Sequence, residues 1–97
     1  MKELDFQWDP RKGVENQRKH GVSFQEAESA FKDENAIQYF DPDHSDKEDR
    51  FLLLGLCTKL RLLVVCHCFL ESELIVRIIS ARKANAREER HYREINR

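Results

Sequence analysis

The sequence contains no long apolar run. The longest, LRLLVVCHCFL, is interrupted by Arg61 and His67, and it falls well short of the roughly 20 residues of a membrane-spanning helix. The first ten residues, MKELDFQWDP, also lack the pattern of a secretory signal peptide. We therefore predict a cytoplasmic protein that makes no membrane contact.

Familiar catalytic motifs are also missing. The chain has no Gly-rich phosphate loop, no His-Glu-x-x-His motif and no Ser-His-Asp spacing. Cysteines are few, and Cys57, Cys66 and Cys68 all lie in apolar runs, where reduced thiols pack as small hydrophobic groups. Cys66 and Cys68 flank His67, but alternating strand residues point to opposite faces. This Cys-x-Cys pair is thus a weak zinc signal, and we predict neither metal nor cofactor.

Charge is distributed unevenly along the 97 residues, which are enough for a single domain spanning residues 1–97. Residues 1–49 carry seven Lys/Arg against thirteen Asp/Glu, whereas residues 50–97 carry ten against five. The formal net charge of −1 conceals this difference. A basic half indicates an anionic partner, while the acidic stretch 33–49 could repel nucleic acid from one side.

The pattern of helix and strand signals predicts an α+β domain of the order β-α-α-β-β-β(-β)-α. Asp9 and Gly21 bracket a polar helix, Ser23-x-x-Glu26 reads as a capping box for a second, and Asn85 with its own x-x-Glu opens a third. Between them lie four strand-like runs, AIQYF, RFLLLGLC, LRLLVVCHCF and LIVRIISA. We expect a central antiparallel sheet, covered on one face by the helical pair and partly open on the other.

Two polar residues, His67 and Arg77, interrupt the most apolar strands. In one hairpin register they lie opposite each other on the open face, and a shift of one residue separates them onto different faces. Arg82 and Lys83 end the last strand, and Arg50 begins the first of the three long ones. An imidazole can transfer protons near neutral pH, and guanidinium groups can stabilise charge on phosphate oxygens. If the protein is an enzyme, metal-free phosphodiester cleavage is therefore the simplest chemistry for this set.

Each of these residues also has a structural reading. A strand histidine is often a satisfied core residue, and Arg77 could pair with a glutamate of a neighbouring element. A basic C-terminal helix is usually a solvated surface, and His20 and His44 could be incidental. Trp8 is read as a core or interface residue. Composition alone supports only a small α+β domain with a basic surface.

Five motifs, in order and at fitting distances, resemble the BrnT family of bacterial type II toxin–antitoxin systems. They are Trp8-Asp9-Pro10, the run from Lys19 to Phe24, Asp41-Pro42, Arg50-Phe51 and the run from Ile79 to Ala84. The resemblance covers about Phe6 to Tyr92. It implies a RelE-like ribonuclease domain that cleaves RNA and stops translation. It also implies neutralisation by a BrnA-type ribbon-helix-helix antitoxin, in a hetero-oligomer that contacts operator DNA mainly through the antitoxin.

The resemblance implies attack by an RNA 2′-hydroxyl on the adjacent phosphorus. In this reading His67 transfers the proton, and Arg77 and Arg82 stabilise the charge on the phosphorane. The residues expected to bind the RNA backbone are Lys83, Arg50, Lys12, Arg18 and Lys19. The alternative is a non-catalytic module of the same fold that only binds an antitoxin or DNA. Convergence of His67, Arg77 and Arg82 in one cleft would favour catalysis.

Overall fold

The computed structural model describes residues 4–71 and 73–97. Its elements are β1 (Asp5–Gln7), α1 (Pro10–His20), α2 (Phe24–Ala30), β2 (Ile37–Phe40), β3 (Phe51–Leu56), β4 (Leu62–Leu70), β5 (Ile75–Lys83) and α3 (Ala86–Ile95). A short 3-10 helix, Pro42–His44, lies between β2 and β3. This confirms the α+β class and the predicted order of elements. Within the described ranges, no helix is long and apolar enough to span a membrane.

The ends of α1 and α3 follow the predicted signals. The Asp9 side chain accepts a hydrogen bond from the backbone N–H of Arg11, and Gly21 ends α1 in the left-handed conformation with a φ of 69°. At α3, the Asn85 side chain accepts from the Glu88 backbone N–H, and the Glu88 carboxylate accepts from the Asn85 backbone N–H. Both helix starts therefore satisfy donors that the helix itself cannot pair.

The predicted capping box of α2 is only half formed. The Ser23 hydroxyl accepts from the Glu26 backbone N–H at 3.1 Å, but the Glu26 carboxylate turns inward. It accepts hydrogen bonds from Arg61 Nε at 2.7 Å and from the Cys57 thiol at 2.9 Å. A cationic partner outcompetes a backbone N–H for a carboxylate, because charge-assisted hydrogen bonds are the stronger ones.

The five strands form one sheet in the order β1-β5-β4-β3-β2. Strands β2 to β5 pair antiparallel, as predicted, and β4 lies at the centre. The sheet is nevertheless mixed, because β1 pairs with β5 in parallel. The prediction of a fully antiparallel sheet is therefore wrong at this edge. Two helices, α1 and α2, connect β1 to the next strand of the sheet.

The two faces of the sheet differ in cover. On the first face, α1 and α2 bury a core to which Phe24, Ala27, Val65 and Ile78 belong. The second face is the opposite one, and α3 covers only part of it, where His91 packs on the Tyr39 ring with centroids 6.3 Å apart. The remainder of the second face, along β4 and β5, stays open beside the loop 41–49.

Candidate active site

The register of β4 and β5 places His67 and Arg77 on opposite faces of the sheet. His67 pairs with Ile78 on the first face, and Arg77 pairs with Cys68 on the second. A bulge at Cys66/His67 shifts the register there and leaves Ile79 without a partner in β4. His67 and Arg77 therefore do not share a face of the sheet. The hairpin adopts the other register considered above, which separates them. The predicted separation of the Cys66 and Cys68 thiols from the imidazole is confirmed.

His67 belongs to the core. Its exposure is 0%, and the rings of Phe31, Phe51 and Phe69 surround it with centroids 4.8, 6.1 and 5.3 Å away. Nδ1 donates to the Val65 carbonyl at 3.0 Å. Burial lowers the pKa of the imidazole below its ordinary value, because the charged form is poorly solvated there. A ring without access to solvent cannot reach a substrate, so the position does not fit direct proton transfer.

The three predicted arginines share the second face but are paired with carboxylates. Arg77 NH2 lies 2.5 Å from a Glu48 oxygen, and Arg50 NH2 lies 3.7 Å from the same oxygen. Arg82 donates from NH1 and NH2 to both oxygens of Glu88, at 2.8 and 2.9 Å. The bidentate pair raises the pKa of Arg82 and lowers that of Glu88. The guanidinium of Arg82 is thus charged and held in one orientation.

A cleft of about 390 Å³ opens on the second face between the sheet, the end of α1 and the loop 41–49. Two of the predicted arginines, Arg50 and Arg82, line it, whereas Arg77 does not. His67, Arg77 and Arg82 therefore do not converge. The cleft is lined by His20, Asp41, Asp43, His44, Arg50, Leu52, Val64, Cys66, Ile79, Ser80, Ala81 and Arg82.

An aspartate–histidine pair stands at the rim of this cleft. Asp41 Oδ2 lies 2.9 Å from His44 Nδ1, and the two side chains are 11% and 67% exposed. The loop is fixed at its base, because the Asp41 N–H donates to the Arg50 carbonyl at 2.8 Å and the Arg50 N–H donates to Ser45 Oγ at 2.9 Å. The buried carboxylate can orient the ring and leave Nε2 for other partners.

Sequence reasoning set aside both histidines of the cleft, His20 and His44. For His44 a signal was available, since Asp41 and His44 have the i, i+3 spacing of one tight turn in a loop that leads to Arg50. His20 carried no such signal. It reaches the cleft only because α1 ends beside β5, where the Asn16 amide donates to the Ala81 carbonyl at 2.9 Å and accepts from its N–H at 3.0 Å.

Of the five predicted RNA-binding residues, three line a depression of the surface and two do not. Lys12 and Lys19 line a second groove beside α1, and Arg50 lines the cleft. Arg18 instead donates to both oxygens of Glu15, at 2.7 and 2.6 Å. Lys83 pairs with Leu63, so it points to the face opposite to that of Arg82. Arg18 and Lys83 therefore stay sequence predictions without a place in either groove.

The three cysteines are free thiols, with Cys57 and Cys68 buried. Cys66 is half-buried in the wall of the cleft, and burial raises the pKa of its thiol. Within the part of the chain that the structure describes, no group of three or more His, Cys, Asp or Glu side chains is placed to hold a metal ion.

The fold and the cleft define a small α+β protein whose open sheet face carries a cleft lined by arginine and histidine. A family model described as the ribonuclease toxin BrnT of type II toxin–antitoxin systems matches residues 8–88. The chain thus belongs to the BrnT family of ribonuclease toxins. The crystal structure of the Brucella abortus ribonuclease toxin BrnT is similar, with 25% identity, a TM-score of 0.61, and coverage of 88% of this chain and 99% of that one. Among curated proteins no sequence matches.

Proposed function

We propose that this protein is an endoribonuclease toxin that cleaves RNA without a metal in the cleft of the second face. The observation that carries the proposal is the convergence of Arg50, Arg82, His20 and His44 on that cleft. Arg50 adds a further reason, because it lies on the cleft wall and its NH2 is 3.7 Å from Glu48 Oε1, which is longer than a hydrogen bond. A guanidinium whose terminal nitrogen is not taken up by a carboxylate suits an anionic ligand.

The chemistry is attack by the RNA 2′-hydroxyl on the adjacent phosphorus. His44, oriented by Asp41, takes the proton of the hydroxyl, and His20 returns a proton to the departing 5′-oxygen. The bond to that oxygen breaks as the new bond forms, which yields a 2′,3′-cyclic phosphate and a 5′-hydroxyl. Arg50 and Arg82 stabilise the negative charge on the phosphorane oxygens. Relative to the sequence-based assignment, His44 and His20 replace His67.

The pairing of Arg82 with Glu88 sets a requirement for this mechanism. A scissile phosphate must compete with Glu88 for the guanidinium, or share it. The pair lies in a partly exposed position, with side-chain exposures of 43% and 23%, where ion pairs contribute only about 0–1 kcal/mol. A doubly contacted phosphate can exceed that, so the pair orients Arg82 in the free protein without blocking it.

The test is cleavage of end-labelled RNA by purified protein, with and without EDTA, followed by analysis of the new ends. We expect cyclic phosphate ends in both conditions. His44→Ala and Arg82→Ala should each lower the single-turnover rate about 100-fold or more, while Arg93→Ala on the outer face of α3 serves as the matched control. Full activity in both cleft variants, with circular dichroism unchanged, removes the site. Loss of cleavage with EDTA removes the metal-free mechanism.

Membership of a toxin–antitoxin family supports the biological setting that we propose. Cleavage of messenger RNA arrests translation, and a BrnA-type ribbon-helix-helix antitoxin neutralises the toxin in a cytoplasmic hetero-oligomer that reaches operator DNA through the antitoxin. The proposed relation to RelE-type toxins rests on the β-sheet with a helical pair on one face. Growth arrest on expression, relieved by co-expression of the neighbouring antitoxin gene, tests the pairing.

A non-catalytic binding module is the second candidate, and one observation favours it. Arg77 and Arg82 are both occupied by carboxylates of the same chain, and His67 is buried. A purified protein that binds antitoxin and leaves RNA intact at high protein concentration would establish this alternative. RNA cleavage that depends on His44 would exclude it.

A further inference from the structure

A second groove, of about 440 Å³, runs between α1 and the outer edge of β5. Its lining residues are Arg11, Lys12, Glu15, Asn16, Lys19, His20, Ile79 and Ser80. Three of them, His20, Ile79 and Ser80, also line the catalytic cleft. The two depressions therefore meet, and a ligand that leaves the cleft over β5 enters the groove beside α1.

The topology of the sheet creates this passage. Strand β1 pairs with β5 only from Ile75 to Arg77, so among the described residues no strand covers the edge of β5 beyond that point. Instead α1 lies along this edge, held by the Asn16 amide, which satisfies both backbone groups of Ala81. The bulge leaves Ile79 outside the β4–β5 ladder, and this residue lines both depressions.

The groove is positively charged. Arg11 and Lys12 form no ion pair with any residue in the described ranges. The one acid in the lining, Glu15, is held by Arg18 at 2.6 Å and by Lys19 at 3.6 Å. The hydrogen bond from Arg18 lowers the pKa of Glu15. Arg18 lies outside the groove and neutralises the charge of the Glu15 carboxylate. The charge of the groove is therefore set by Arg11, Lys12 and Lys19, and it is positive.

From this geometry we infer that the groove binds the RNA strand next to the scissile linkage, holding its backbone phosphates with Arg11, Lys12 and Lys19. This inference rests on the proposed ribonuclease activity. Lys12 and Lys19 are seven residues apart, about 10 Å along the helix, a distance over which a strand presents more than one phosphate. Ile79, which lines both depressions, gives a base or ribose an apolar contact where they meet.

The experiment compares Lys12→Ala/Lys19→Ala with a control of equal charge change, Lys32→Ala/Lys59→Ala, whose lysines line neither depression. Substrates are a dinucleotide, which fills only the cleft, and a twelve-nucleotide RNA. We expect KM for the longer RNA to rise about 10-fold in the groove variant, with kcat unchanged. Cleavage of the dinucleotide should match the control, because the groove contributes only binding of the flanking strand.

A binding assay separates this inference from the proposed function. Affinity for a twelve-nucleotide 2′-O-methyl RNA, which cannot be cleaved, is measured by fluorescence anisotropy between 50 and 200 mM salt. The logarithm of the association constant falls linearly with the logarithm of the salt concentration. Loss of two phosphate contacts should make this slope shallower by about 1.4. An affinity and slope equal to those of the control overturn the groove, even where the wild type cleaves RNA. Weaker antitoxin binding with unchanged RNA affinity also overturns it and assigns the groove to the antitoxin.

Discussion

Replacing His67 tests whether this histidine stabilises the fold or performs chemistry. His67→Ala removes a side chain of 0% exposure from among three phenylalanine rings. Deletion of a buried aromatic side chain costs about 3–5 kcal/mol. His67→Phe keeps the aromatic volume but leaves the Val65 carbonyl and the Gln38 amide without their partner, which costs about 1–3 kcal/mol. Against a typical domain stability of about 5–15 kcal/mol, the second variant should remain folded.

The assay has two parts. Urea unfolding gives the folded fraction of each variant, and the RNA cleavage rate is then divided by that fraction. We expect both variants to lower the free energy of unfolding, His67→Ala more than His67→Phe. The cleavage rate of folded His67→Phe should stay within a few-fold of wild type. A fully folded His67→Phe with cleavage reduced 100-fold or more would refute the structural role and restore His67 as a catalytic residue.

The same residue predicts a pH dependence of stability. Burial lowers the pKa of His67 below the ordinary 6.5, so the unfolded chain binds the proton more readily than the folded one. The contribution of the neutral ring is fully present above about pH 6.5, and acid removes it by up to about 1.4 kcal/mol per pH unit until the folded pKa is reached. Urea titrations at pH 7.5 and 5.5 should show this loss in the wild type and a smaller one in His67→Phe. Equal losses would contradict it.

Three further predictions concern residues outside the immediate chemistry. Glu88→Gln frees Arg82 from its carboxylate and should tighten binding of the 2′-O-methyl RNA up to about fivefold, measured by anisotropy; weaker binding would show that Glu88 is needed to orient the guanidinium. Glu26→Ala removes a carboxylate that is only 2% exposed and leaves Arg61 without its ion-pair partner. This should lower the free energy of unfolding by about 2–4 kcal/mol, and a loss below 1 kcal/mol in urea unfolding would contradict it. Gly55→Ala places a Cβ 2.8 Å from a backbone carbonyl oxygen, whereas Gly13→Ala meets only ordinary contacts at 3.5 Å and beyond. The first should destabilise by about 1–3 kcal/mol and the second stabilise by up to about 1 kcal/mol, and thermal unfolding with the opposite order would reject the packing at β3.

The local features of the fold could be read from the sequence because short-range chemistry decides them. The Asp9 cap, the Gly21 stop and the Asn85–Glu88 capping box depend on residues within a few positions of each other. The run that forms the central strand β4 is nearly continuous in apolar residues, as a strand buried on both faces requires. The Ser23–Glu26 box was predicted by the same rule and formed only in part, because Arg61, distant in sequence, offers Glu26 a stronger partner.

The candidate site was predicted less completely, since it depends on register and on distant segments. Arg50 and Arg82 reach the cleft as expected, but His67 follows Val65 on the core face of β4, and the bulge in β5 places Arg77 on the other face. His20 and His44 enter the cleft from a helix end and a loop, and periodicity says nothing about either. Likewise, Lys12 and Arg18 lie on one helix, yet only Lys12 lines a groove that continues into the cleft.

By itself, the sequence determined the class of fold, the order of the elements, the helix ends and the family. These properties follow from local propensity, apolar periodicity and motifs that are contiguous along the chain. Only the tertiary structure decided which histidines line the cleft, which carboxylates pair with the arginines, and that β1 joins the sheet in parallel. A single extra residue in β5 changes which face a side chain occupies, and pairing between distant charges depends on positions that folding alone brings together.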